Sequence, residues 1–105
     1  MSFLNRDDDA ITVAPQLHRV IFEDDKVRVL EVTVPAGASA NIHWHPRNIN
    51  YVLSPGTLQF TKPDGTVSEV ELAPGQVTNA SESSHAVENV GDSEVRTVQI
   101  EFKDE

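Results

Sequence analysis

Gly37-Ala38-Ser39-Ala40-Asn41-Ile42-His43-Trp44-His45 decides how the rest of this chain reads. His43 and His45 are two residues apart, and on a β-strand residues i and i+2 point to one face. As a strand, the stretch therefore projects both imidazoles together. A third histidine, His85, opens another apolar run that ends at Gly91-Asp92. Two histidines from one strand and one from a distant strand can form a three-nitrogen metal site inside a barrel. Bonds of about 2.0–2.1 Å suit zinc-like ions, and imidazole suits iron, nickel and copper as well. By itself the His-x-His pair is a weak signal, since two polar surface histidines give the same pattern.

The flanking sequence is a series of short β-rich runs closed by turn residues. Val27 to Val34 stops at Pro35-Ala36-Gly37. Within it Leu30, Val32 and Val34 alternate, while Val27 and Val29 have the opposite phase. That run is either apolar on both faces or carries a bulge near Val29–Leu30. Leu58 to Thr61 and Val67 to Leu72 flank Lys62-Pro63-Asp64-Gly65, which predicts a hairpin because Pro presets φ and Gly supplies positive φ. In the last run Val98, Ile100 and Phe102 share one face, and Thr97, Gln99 and Glu101 the other. Runs closed by turns every eight to twelve residues predict an all-β sandwich or barrel. Residues 1–15 read as an N-terminal arm or an added edge strand, and residues 16–105 as the barrel. Such an arm suits pairing with a second copy, so a homodimer is expected.

Composition narrows the function classes. A chain of 105 residues makes one domain with one modest core. Without cysteine there are no disulfides, thiolate ligands or thiol nucleophiles. Net charge is −9, and the eight Lys and Arg are scattered, whereas phosphate binding needs them clustered. No nucleic acid partner is expected. No run approaches the ~18 apolar residues of a membrane span, and Asp7-Asp8-Asp9 stands where a signal peptide would be apolar. The expected location is cytoplasmic, with no membrane partner.

These spacings together resemble the two motifs of the cupins. The first motif runs Gly, five residues, His-x-His, three or four residues, Glu, six residues, Gly. Gly37, five residues and His43-Trp44-His45 match its opening, and Tyr51-Val52-Leu53 followed by Gly56 resembles its close, with one extra residue. The end of the second motif is similar to His85-Ala86-Val87-Glu88-Asn89, although its Pro-x-Gly is replaced by Ala80-Ser81-Glu82. The likeness covers roughly residues 18–102. It implies an all-β cupin double-stranded β-helix, or jelly-roll barrel, with His43, His45 and His85 as ligands of a divalent ion (Fe, Mn, Ni, Zn or Cu).

The motif's Glu, usually the one anionic ligand, is missing. Counting from His45 gives Ile49 or Asn50, and the strand register gives Asn48. If Tyr51 points outward, then Asn48, Asn50 and Val52 point inward. Either Asn could offer a neutral oxygen as a fourth ligand or a substrate contact, or the fourth protein ligand is lost. Three neutral imidazoles leave the ion its full +2 charge, which makes it a stronger Lewis acid and favours anionic chelators.

The expected function is a metal-dependent enzyme acting on a small oxygen-rich or anionic molecule, with dioxygenase- or isomerase-type chemistry. The alternative is a non-catalytic cupin module that binds a metal or small ligand. Trp44 is expected to face outward, His18 to be a surface or structural histidine, and Tyr51, Phe60 and Phe102 to lie in the core. Asn89 is expected to tie down a turn. Ser81, Ser83 and Ser84 precede His85, but no Asp is placed to complete a triad. The barrel interior offers no evident general base beyond the ligands.

Overall fold

Lys62-Pro63-Asp64-Gly65 reverses the chain as its composition requires. Gly65 has φ 91°, its N–H donates to the Lys62 carbonyl at 2.9 Å, and Asp64 Oδ1 accepts the Thr66 N–H at 2.9 Å. The computed structural model describes residues 6–103. Among them, a short helix α1 (Ala10–Val13) precedes β1 (His18–Glu23), β2 (Val27–Val34), β3 (Ser39–His45), β4 (Asn48–Ser54), β5 (Gly56–Thr61), β6 (Val67–Leu72), β7 (Val77–Ala80), β8 (Ser83–Asn89) and β9 (Val95–Phe102). The hairpin at Gly65 joins β5 to β6, with Leu58 opposite Val70.

Two antiparallel sheets face each other, in strand order β1-β2-β9-β4-β7 and β3-β8-β5-β6. Inward side chains change character along the barrel. On the paired strands β2 and β9, Arg28 lies opposite Glu101, Leu30 opposite Gln99, Val32 opposite Thr97 and Val34 opposite Val95. The apolar end holds the main core, in which Val34, Leu58, Val87 and Val95 pack with Ala14 and Leu17. At the other end the interior is charged: Arg28 is 2% exposed and Glu101 fully buried.

Bulges set which residues reach this interior. Of the two alternatives for the Val27 to Val34 run, no bulge interrupts its pairing with β9; the irregularity lies in the neighbouring strand, at Ile21 of β1, between the Val20–Leu30 and Phe22–Val29 pairs. Val27 and Val29 are half-buried on the outer face of β2. In β3 the register shifts between the Ala40–Val87 and His43–His85 pairs, so one extra residue separates them on the β3 side. Ala40 and His43 are three apart and would face opposite ways on a regular strand. With the bulge, both are buried while Asn41 and Ile42 are exposed.

Residues 1–5 of the stretch expected as an arm or edge strand lie outside the described residues. Asp9 caps α1 by accepting the Ile11 N–H at 3.0 Å, and Ala10 and Ala14 are fully buried. Trp44 alternates with inward histidines and faces outward, yet it is only 6% exposed. Its cover is the chain's own N-terminal segment. The Arg6 guanidinium lies 4.1 Å over the indole, the Trp44 backbone N–H donates to the Asp8 carbonyl at 2.6 Å, and Nε1 donates to Glu82 at 2.9 Å. Two of the three aromatic side chains expected in the core are placed differently. Tyr51 is 44% exposed, and Phe102 is half-buried on the outer face of β9 beneath Arg47.

Candidate metal centre

The β3 bulge and the β3–β8 pairing put His43 directly opposite His85. Their ring centroids are 5.0 Å apart, and His45 is 5.0 Å from His43 and 5.4 Å from His85. The three histidines singled out in the sequence thus meet. A fourth joins them from the opposite sheet. His18, at the start of β1, is buried, with its ring 5.1 Å from His43 and 5.3 Å from His45. Of the two alternatives expected for it, surface or structural, burial excludes the first, and the ring lies within the cluster. One ring nitrogen from each of His18, His43 and His45 forms a compact donor group, the three atoms lying within 4.8 Å of one another. His85 stands beside it, with Phe60 4.8 Å away on its other side.

Each ring of the compact trio is held by its Nδ1. His18 Nδ1 lies 2.9 Å from the Ala14 carbonyl, and His43 Nδ1 lies 2.8 Å from the Asn41 carbonyl on the β3 bulge. A carbonyl only accepts, so both Nδ1 atoms carry the proton and both Nε2 atoms present a lone pair. His43 Nε2 is buried without a hydrogen-bond partner. His45 Nδ1 lies 2.6 Å from Glu101 Oε2; with the proton on Nδ1 it donates to the carboxylate and leaves Nε2 as a third lone pair. An orphaned buried acceptor beside two other inward donors is what a divalent ion requires, so these residues fit a metal.

Electrostatics favour the same state. Burial lowers the pKa of His18 to about 4 and of His45 and His85 to about 3, with mutual repulsion adding to the effect. His43 is lowered as well, again chiefly by burial. All four are therefore neutral near pH 7, the form that ligates. Burial pushes Glu101 the other way, up to about 7, against the opposing pull of Arg28.

Glu101 is the interior carboxylate that sequence reasoning overlooked. Arg28 Nε donates to its Oε1 at 2.7 Å, and the Arg28 guanidinium grips Asp9 with two further bonds of 3.0 and 2.9 Å. The signal lay in the alternation of β9: Thr97, Gln99 and Glu101 share the buried face, while Val98, Ile100 and Phe102 face out.

Asn48 and Asn50 both point inward, as the register implied. Asn48 is buried and donates to the Pro46 carbonyl at 2.8 Å, while its own Oδ1 accepts the Asn50 amide at 2.9 Å. Asn50 lines a cavity of about 310 Å³ together with all four histidines. The rest of that wall is mostly Val, Leu and Phe, with Thr78, Ser83, Thr97 and Gln99 as uncharged polar groups.

No family model matches the chain, and no curated relative matches it. Solved structures do. A cupin domain from Bordetella pertussis Tohama I is 27% identical over 84% of this chain and 93% of its own, with a TM-score of 0.77. The fold is that of a small cupin. A protein with a double-stranded β-helix domain from Klebsiella pneumoniae matches this fold with TM-score 0.67 at 20% identity, over 83% of this chain and 76% of that one. A cupin superfamily protein from Desulfitobacterium hafniense DCB-2 does so with TM-score 0.62 at 20% identity, over 84% and 77%. These last two bear on the fold alone.

Proposed function

We propose that this cupin binds a divalent metal on its inward histidines and uses it to act on a small molecule with an oxygen-bearing or anionic chelating end. The observation that carries the proposal is the unpartnered, buried Nε2 of His43 among inward rings whose Nδ1 atoms are already held. When bound, the ion supplies Lewis acidity toward a carbonyl, enolate or similar oxygen, as dioxygenase- or isomerase-type reactions need.

The chain's own residues do the rest. His18, His43 and His45 are the favoured ligands on compactness, and the proximity of His85 to His43 supports a role for it as a further ligand or a substrate contact. Asn50, Thr78 and Gln99 offer hydrogen bonds from the cavity wall, while Val52, Leu58, Phe60 and Leu72 surround the bound body and exclude water. A wall without charged side chains disfavours a polyanion or a sugar, whose remaining polar groups would be left unpaired. The proposed substrate is therefore compact, with one chelating end and an apolar remainder.

A second reading has an observation of its own. Apart from the histidines, the polar groups of the cavity wall among the described residues are Asn, Gln, Ser and Thr, with no carboxylate or lysine to act as a general base. That favours a module that binds a metal or small ligand without turnover.

Metal analysis of protein purified without chelator or a nickel column tests the shared basis of both readings. We expect wild type to retain a divalent ion and His43→Ala to lose it. Equally low metal in both would remove that basis. Oxygen uptake and product formation by iron-loaded protein against diketones, thiols and hydroxy acids then separate the readings: uptake marks a dioxygenase, rearranged product without uptake an isomerase, and neither with any of them favours the binding module.

A further inference from the structure

The motif carboxylate is absent from the ligand shell, but a carboxylate stands one bond further out. Glu101 is fully buried, and its two oxygens are divided between two tasks. Oε2 meets His45 Nδ1 at 2.6 Å, and Oε1 meets Arg28 Nε at 2.7 Å. Arg28 is in turn gripped through two bonds by Asp9, itself 2% exposed. Asp9 belongs to the N-terminal segment, whose Ala14 carbonyl also holds His18 Nδ1 and whose Asp8 carbonyl holds the Trp44 backbone between the two β3 histidines.

We propose that Glu101 is the anionic group of the metal site, acting through His45, and that Asp9 and Arg28 hold it in place. The inference rests on the metal-binding reading above. A carboxylate accepting the Nδ1 proton of a ligating imidazole fixes the ring and its tautomer and makes Nε2 more basic. Its negative charge offsets part of the +2 that neutral imidazoles leave on an ion. Glu101 and Asp9 are thus positioning residues, and the N-terminal segment is part of the outer wall of the site.

Cobalt(II) binding separates this from a role in packing alone. Glu101→Gln keeps a hydrogen-bond acceptor for His45 and removes the charge. Asp9→Asn keeps a good helix cap and removes the charge two links away. Dissociation constants for Co2+ are measured at pH 7 and 25 °C, with thermal unfolding of each metal-free variant as the control. Loss of such outer partners typically weakens metal binding 10–100-fold. We expect a loss of that size for Glu101→Gln and a smaller loss, in the same direction, for Asp9→Asn. In proton spectra of the Co2+ form, the exchangeable signal of His45 Nδ1–H is expected to shift and to exchange faster in Glu101→Gln.

A merely structural effect would lower the unfolding temperature and leave the affinity of the folded fraction unchanged. Wild-type affinity, within twofold, in a folded Glu101→Gln overturns the proposal; if that variant does not fold, wild-type affinity in Asp9→Asn overturns it. Absence of Co2+ binding by wild type would sink the metal reading and this inference with it. Binding by wild type that is lost in His43→Ala but untouched by both charge variants sinks this inference alone.

Discussion

Arg28 sits where a strand of a small barrel would ordinarily carry an aliphatic side chain. Its guanidinium is 3% exposed and lies between Asp9 and Glu101. Two carboxylates packed against one cation leave little freedom to alter any of the three. Replacing Arg28 by Met removes the cation and strands both acids in the interior, which is expected to cost about 3–5 kcal/mol. Against a total of roughly 5–15 kcal/mol for an ordinary domain, the variant should unfold at a much lower urea concentration. An unchanged urea midpoint would show that the two acids do not depend on Arg28. Asn89 illustrates the opposite case, a polar residue whose job was legible. Its amide donates to the carbonyls of Val34 and Ser93 at 2.9 and 2.8 Å, and its Oδ1 accepts the Gly91 N–H at 2.9 Å, so it ties down a turn as expected. The turn itself is tied through near neighbours, Gly91 and Ser93, with one bond reaching across to Val34, whereas Arg28 and Glu101 are 73 residues apart.

At the scale of elements, the bulge in β3 decides the site. It lets an alanine of the core and a histidine of the cluster share one face, and its Asn41 carbonyl holds the His43 ring. The spacing of His43 and His45 predicts that they face together, and they do. Which way they face depends on pairing with β8, which no local pattern contains. The turn between β4 and β5 is similarly constrained. A Cβ on Gly56 would collide with Cγ2 of Val95, a branched side chain 1% exposed in the core. Gly56→Ala is therefore expected to lower stability by about 1–3 kcal/mol, the usual cost of overpacking, read as a fall in the thermal midpoint. A midpoint equal to wild type would mean that β5 and β9 separate there at little cost. Strand β7 was not anticipated from sequence: Val77-Thr78-Asn79-Ala80 has a single large apolar residue and becomes a strand by pairing with β4.

Across the whole molecule, the interior grades from an apolar end at Val34 and Val95 to a charged end at Arg28 and Glu101, with the histidines between. This gradient gives stability a definite pH dependence. In the unfolded chain histidine titrates near 6.5, whereas folded His18, His45 and His85 do so at about 4, 3 and 3. Between those limits the unfolded state binds more protons, so the fold loses stability as pH falls below about 6.5. Glu101, raised to about 7 from 4.5, works in the opposite sense between those two values, but it is one group against several. The thermal midpoint of metal-free protein in EDTA is expected to fall steadily from pH 6.5 to pH 4; a flat profile would contradict neutral buried histidines. Because the buried nitrogens resist protonation, metal release is expected at a lower pH than the 6.5 of free histidine. The sequence alone determined the all-β class, the hairpin at Gly65, the shared face of His43 and His45, and, once Tyr51 faces out, the inward register of Asn48 and Asn50; the meeting with His85 was implied by the resemblance to cupin motifs. Each of these follows from period-two alternation, turn chemistry or motif spacing. Only the tertiary structure brought in His18, turned the polar face of β9 inward and placed Glu101 behind His45. Those depend on which strands pair and which sheet face closes on the other, and a barrel that houses a site breaks the rule that the apolar face goes inside.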